Sequence, residues 1–162
     1  MNELASRKQA LEALFADIAQ TRMASVPVMN RVLRVEALGF EAVAGEEGVP
    51  AALGVLLTPW FMNLVWLPLK REDAPARVGL RRARAVGNHS FEFIASHEER
   101  IGSFEACSLM SPVFEFADHL QACATALAVL AELHTVKLAA PVEKPPARRA
   151  FLFGRTAAEQ AA

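Results

Sequence analysis

Apolar residues recur at helical spacing over the first twenty positions. Leu4, Leu11, Leu14, Phe15 and Ile18 fall on one side, and Glu3, Arg7, Lys8, Glu12 and Asp17 on the other. That pattern predicts an amphipathic helix from Asn2 to about Gln20, with Asn2 as its cap. Met23–Asn30 reads as an extended connector, because Pro27 lacks a donor and turns Val26 away from helical torsions. The period then shortens to two. Val32–Val43 alternates in part, with Gly39 at a place suited to a bulge or a close backbone approach. Ala52–Leu57 and Trp60–Leu67 are apolar on both faces, the pattern of central strands covered on both sides. Thr58-Pro59-Trp60 stands between them as a turn. Val78–Val86, Ser90–Ser96 and Ile101–Leu109 complete the strands, with turn signals at Gly87-Asn88 and at His97–Arg100.

Ser111-Pro112 is suited to open a second helix, where proline is tolerated in the first turn and serine caps. Phe116, Leu120, Cys123, Leu127, Leu130 and His134 follow a helical rhythm and are expected to be its buried stripe, to about Leu138. The predicted fold is therefore α+β in a single domain. An antiparallel sheet of about five or six strands is flanked by an N-terminal and a C-terminal helix, both covering one face. Residues 1–139 form this domain. Residues 140–162 are assigned to a proline-rich linker and a flexible Arg-Arg/aromatic tail.

Composition narrows the function. The chain has 162 residues, 53% hydrophobic and 22% charged, with a net charge of −1. Near-neutrality argues against a globally electrostatic nucleic-acid binder. An apolar excess in a domain of this size suggests that some of it faces a partner. Cys107 and Cys123 make no disulfide framework, and no signal peptide is visible at the N-terminus, so cytoplasmic residence with reduced thiols is expected. Val49–Leu69 carries no charge and approaches membrane-span length, but Pro50, Pro59 and Pro68 suit two strands around a turn, so no membrane span is expected.

Candidate chemistry is sparse. A thiol-dependent enzyme using Cys107 would need a base and a depressed pKa, and no histidine is tied to it in the sequence. Cys123 reads as a buried structural thiol. The four histidines predict no metal site, and His89 and His97 are about 25 Å apart along an extended chain. Glu115 and Asp118 lie at the start of the second helix, where its dipole accounts for them. Lys70, Arg71, Arg77, Arg81, Arg82 and Arg84 outnumber Glu72 and Asp73, which leaves an RNA-binding module over residues 70–84 as an alternative. No aromatic interleaves those charges for base stacking.

The tail is the sharpest feature. Arg148 and Arg149 stand next to Phe151, Leu152 and Phe153, an arrangement like the core of a twin-arginine export signal but with no apolar run behind it. Burying the three apolar side chains contributes about 5–9 kcal/mol. Ordering about six residues costs about 6–12 kcal/mol. The two nearly cancel, which describes a weak and reversible ligand strengthened by tethering and by guanidinium–carboxylate pairing.

Three segments taken together are distinctive: Gly54-Val-Leu-Leu-Thr-Pro-Trp-Phe-Met62, Cys107-Ser-Leu-Met-Ser-Pro-Val-Phe-Glu-Phe116 and Arg148-Arg-Ala-Phe-Leu-Phe-Gly-Arg155. In order and spacing they resemble the HybE-type, or HupJ-type, [NiFe]-hydrogenase assembly chaperones, from about Arg22 to Arg155. The resemblance implies a non-catalytic cytoplasmic accessory protein. Its partners would be the precursor of the large subunit, of the twin-arginine-exported small subunit, or of both, and other maturation factors. Thr58, Pro59, Trp60, Cys107, Ser108, Pro112, Arg148 and Arg149 match the family's motifs and are expected to touch a partner. Phe61 and Met62 join them as adaptable apolar contacts, and Phe151, Leu152 and Phe153 as the tail's hook. Some relatives are joined to a rubredoxin with Cys-x-x-Cys pairs. This chain has none, so no iron site and no cofactor come with the resemblance. Relatives also tend to have proline where this chain has Arg31, which weakens any role carried over to Pro27–Asn30.

Overall fold

The computed structural model describes residues 2–45, 48–73 and 78–139. Its elements run in the order α1 (Glu3–Gln20), β1 (Glu36–Val43), β2 (Ala51–Leu57), β3 (Met62–Pro68), β4 (Arg81–Val86), β5 (His89–Glu98), β6 (Gly102–Met110) and α2 (His119–Ala139). The six strands form one antiparallel sheet in the order β1-β2-β3-β6-β5-β4. The predicted α+β class, helix–sheet–helix order and strand count are all present. The assigned tail, with Arg148, Arg149, Phe151, Leu152 and Phe153, lies outside the described residues.

Each element follows from its residues. Asn2 Oδ1 accepts from the Ala5 N–H at 2.7 Å and caps α1. Leu11, Leu14, Phe15 and Ile18 are its buried side chains. All seven residues of β2 are buried, as its unbroken apolar run predicts for a covered central strand. Gly39 has a φ of +63° at the register shift between Leu38 and Glu41. A Cβ there would stand 2.5 Å from Leu130 Cδ1, so glycine serves both the bulge and the approach of α2.

The two helices lie on opposite faces, not on one. Ala37, Leu56, Val65, Leu67, Ile101 and Phe104 pack with the buried side of α1. Leu38, Leu53, Val55, Leu57, Met62, Leu64, Phe91 and Phe93 pack with Ala122, Ala126, Leu130 and Leu133 of α2. Neighbouring positions of one strand belong to different layers, as the pleat requires. The double-sided apolar runs of β2 and β3 were already incompatible with both helices on one face.

Two further expectations are corrected around α2. The helix starts at His119 rather than at Ser111-Pro112, where the peptide bond is cis. The intervening stretch is held by the burial of Val113 and Phe116. Asp118 is the cap instead: its Oδ1 accepts from Gln121 N–H at 2.8 Å, and Gln121 Oε1 accepts from Ala117 N–H at 2.8 Å. The buried stripe is also rotated. Ala122, Ala126, Leu130 and Leu133 face the sheet, whereas Leu120 is 78% and Leu127 47% exposed. Small alanines let α2 lie close over β1 and β2, and that turns two of the expected core leucines outward.

At the sheet's edges, β1 is broken by its bulge, and β4 carries Arg81, Arg82 and Arg84. Among the described residues, no helix is long and apolar enough to cross a membrane.

Candidate functional site

Two of the three motif segments, residues 54–62 and 107–116, come together at one end of the sheet. Residues 58–61 close the β2–β3 hairpin. Thr58 is wholly buried. Its Oγ1 accepts from the Trp60 and Phe61 N–H groups at 3.2 and 3.0 Å, and its own N–H donates to Phe61 O at 2.9 Å. β6 ends at the same place, with Met62 opposite Met110, so the Cys107–Phe116 motif leaves the sheet beside this turn.

Asn30 fastens the two motifs to each other. Its N–H donates to Pro59 O at 2.7 Å. Its Nδ2 donates to Val113 O and Phe116 O at 2.9 and 3.0 Å. The connector residue whose role the sequence left weakest is thus the common attachment of two distinctive segments.

The individual positions differ in what they offer. Trp60 and Phe61 are half-buried and stack around Phe15 of α1, with centroids 6.4 and 5.9 Å from its ring. Pro59 is buried, and Met62 is wholly buried against the α2 layer. Ser108 and Pro112 are exposed. Cys107 is half-buried opposite Leu64, and burial, then the Glu92 carboxylate, push its thiol up from the ordinary value. A raised thiol is mostly protonated near neutrality, the wrong direction for a nucleophile.

A polar cluster that sequence reasoning missed ties α2 to β1. His119 Nε2 lies 2.8 Å from Glu36 Oε1, and Cys123 Sγ donates to the same oxygen at 3.5 Å. The Arg34 N–H donates to His119 Nδ1 at 3.1 Å, so the ring hydrogen sits on Nε2 and points at Glu36. The hydrogen bond from His119 is the main cause holding the Glu36 carboxyl below its ordinary value. Burial, then Glu36, push the Cys123 thiol up to about 11.

The three ligand-type atoms of this cluster lie within 4.8 Å of one another. A metal on Nε2 would require the ring hydrogen to move to Nδ1, where the Arg34 N–H already points. The cluster is therefore a latch between helix and strand. The His119–Cys123 spacing of four was the available signal. Glu36, 83 residues away from His119, gave none.

Three arginines of the basic stretch have partners within the fold. Arg84 forms a two-pronged ion pair with Glu105 at 2.7 and 3.0 Å, and its guanidinium lies 3.8 Å over the Trp66 ring. Arg71 pairs with Asp73 and Arg81 with Glu92. Arg77 lies outside the described residues.

Among the described residues, uncovered apolar side chains stand before β4, at Val78 and Leu80, and in a stripe along α2. Leu120, Ala124, Leu127 and Ala131 are exposed at i, i+4, i+7 and i+11, one continuous outer stripe. Phe114, 56% exposed, stands in the segment leading into the helix, and Val32, 50% exposed, two residues after Asn30. Since the inner side is apolar as well, α2 is apolar nearly all round, the composition of a helix that is covered on both sides.

Comparison with known proteins places this architecture. The family described as "[NiFe]-hydrogenase assembly, chaperone, HybE" matches residues 6–154. Protein HoxT of Cupriavidus necator is 44% identical over 162 residues, covering 92% of this chain and 89% of its own length. The hydrogenase expression/formation protein HoxT of Azotobacter vinelandii is 39% identical over 150 residues, covering 93% of this chain and 92% of its own. The solution structure of HybE from Escherichia coli shares the fold, with a TM-score of 0.54 at 20% identity over 92% of this chain and 90% of that one. A match that takes in both helices, all six strands and the tail motif means that this chain belongs to the HybE family of [NiFe]-hydrogenase assembly chaperones.

Proposed function

We propose that this protein is a non-catalytic cytoplasmic chaperone that holds an immature [NiFe]-hydrogenase subunit, the large or the small one, before the enzyme is assembled. The observation that carries this reading is the outer stripe of α2, where Leu120 and Leu127 are 78% and 47% exposed. An unfinished subunit has apolar surface that its final partner will later cover, and a mostly uncharged stripe grips such surface without demanding one sequence. Trp60, Phe61, Cys107, Ser108 and Pro112 extend the contact at the sheet end. Thr58, Pro59 and Met62 shape it from beneath. Arg148, Arg149, Phe151, Leu152 and Phe153 act as a tethered second contact that raises the effective concentration of the first.

The raised thiols suit a binder better than a thiol enzyme, and Arg84 is tied down by Glu105 and Trp66 rather than presented to RNA. The test is capture of tagged full-length protein from cells making hydrogenase. A subunit precursor is expected with the wild-type chain, with several-fold less on Leu120→Asp/Leu127→Asp and on truncation after Pro146. Failure to retain either subunit precursor, with folded wild-type protein, overturns the reading.

A further inference from the structure

We propose that the outer edge of β4 takes up an extended segment of a partner protein as a further, antiparallel strand. That segment carries two consecutive carboxylates followed by an apolar residue. The edge is separate from the outer stripe of α2 and works without it.

The backbone of β4 supplies the ladder. Among the described residues β4 ends the sheet, with β5 as its strand neighbour. Its pairing with β5 runs from Arg81 to Val86 without a register shift, and it contains no proline. β1, at the opposite edge, is interrupted at Gly39. The two-residue turn at Gly87-Asn88 makes Val86 and His89 a hydrogen-bonded pair. At the other end of the strand, the Ala95 N–H donates to Leu80 O at 2.8 Å. Alternation between these two points turns the backbone groups of Arg82 and Arg84 toward β5, and those of Arg81, Ala83 and Ala85 away from it. Ala83 and Ala85 are exposed and small, so a neighbouring backbone meets no bulky side chain on that face.

The side chains select what pairs there. β4 carries Arg81, Arg82 and Arg84 and no acidic residue. Full antiparallel overlap with a second copy would set Arg82 opposite Arg84 of that copy, and like charges directly opposite destabilise a pair of strands. Carboxylates facing Arg81 and Arg82 reverse that sign. Arg81 pairs with Glu92, but the two side chains are 62% and 60% exposed, so exchanging one carboxylate for another costs little. Arg82 lines a cleft beside Val78 and Arg84, which leaves room for a partner side chain on that face. Next to Arg81, Leu80 is 59% exposed, and Val78 is 57% exposed. An antiparallel segment meets Arg82, Arg81 and Leu80 in that order, which reads as acid, acid, apolar. Main-chain hydrogen bonds then supply affinity, and side chains at successive positions supply selectivity.

The test adds the peptide Thr-Val-Thr-Val-Glu-Glu-Val, capped at both ends, to the full-length protein and follows amide hydrogen exchange by NMR. Thr-Val-Thr-Val-Lys-Lys-Val is the control. The acidic peptide is expected to slow exchange at Arg81, Ala83 and Ala85 at least about five-fold, with little change at Arg82 and Arg84, which already face β5. Ala83→Pro removes an N–H that points away from β5, so it should keep the fold and abolish the slowing. Arg81→Glu/Arg82→Glu should switch preference to the lysine peptide. The proposal is overturned if the three outward amides do not slow, or if they are already as protected as Arg82 and Arg84 in the protein alone. Equal response to the two peptides, or slowing that survives Ala83→Pro in folded protein, overturns it as well. Should Ala83→Pro unfold the chain, the charge-reversed variant decides, and an unchanged preference for the glutamate peptide overturns the proposal.

Discussion

The N–H of Asn30 and the carbonyl of Pro59, 2.7 Å apart, join the connector after α1 to the tip of the β2–β3 hairpin. Through its amide group the same residue also holds the carbonyls of Val113 and Phe116. Asn30→Ala leaves those two carbonyls without this donor and is expected to cost about 2–4 kcal/mol. Asn30→Asp keeps the shape but cannot donate, so it should lose at least as much. Urea denaturation of both variants checks this; an unchanged midpoint for either removes Asn30 as the joint between the motifs.

The rotation of α2 gives a second expectation. Leu133, wholly buried, should cost about 2–5 kcal/mol when truncated to alanine. Leu120→Ser should stay within about 0.5 kcal/mol of wild type. Thermal melts of the pair decide between the observed stripe and the one that periodicity alone suggests.

Gly39→Ala combines a left-handed backbone, costing about 1–2 kcal/mol, with a methyl pressed against Leu130. The expected total is about 2–4 kcal/mol. Gly79→Ala serves as the control: φ there is +90°, and an added methyl would meet nothing within 4 Å. It should show the backbone cost alone. Equal losses at the two sites would mean that α2 yields freely over β1.

The helix–strand latch has a sign on each side of neutrality. Glu36 is held below its ordinary 4.5, so its contribution is present above that value and fades as pH falls through the folded one. Cys123 is raised from 9.0 to about 11, so its contribution is present below 9 and is lost as pH climbs from 9 toward 11. Glu36→Gln should flatten the acid limb of a urea-midpoint profile against pH. A variant whose acid limb matches wild type would show that the His119 contact does not hold the carboxyl down.

Both thiols should also be slow toward alkylation. Cys107 and Cys123 have raised pKa values, so at pH 7.5 each is expected to react more slowly than free cysteine and to accelerate as pH rises. A fast-reacting Cys107 in the folded protein would restore the thiol-enzyme alternative.

The fold was legible where the signal is local. Amphipathic spacing marked α1, unbroken apolar runs marked the central β2 and β3, and Gly87-Asn88 marked the turn before β5. What escaped depends on contacts between distant parts. Leu120 and Leu127 share the helical period of true core positions, and only the alanines under α2 decide which side faces in. Nothing near Asn30 announces that its amide will meet residues more than eighty positions later. Glu36 gains its meaning only when His119 arrives beside it. The motif positions were found by resemblance, yet their grouping at one sheet end needed the register of β3 with β6.

A protein that displays a greasy helix risks sticking to its own kind. Open sheet rims would compound the danger by templating fibrils. Here the two hazards are kept apart: the kink at Gly39 interrupts one rim, and the charged Arg81 and Arg82 line the other. Backbone ladders between copies are thereby denied an easy starting edge, while the helix keeps side-chain contacts that form and dissolve readily.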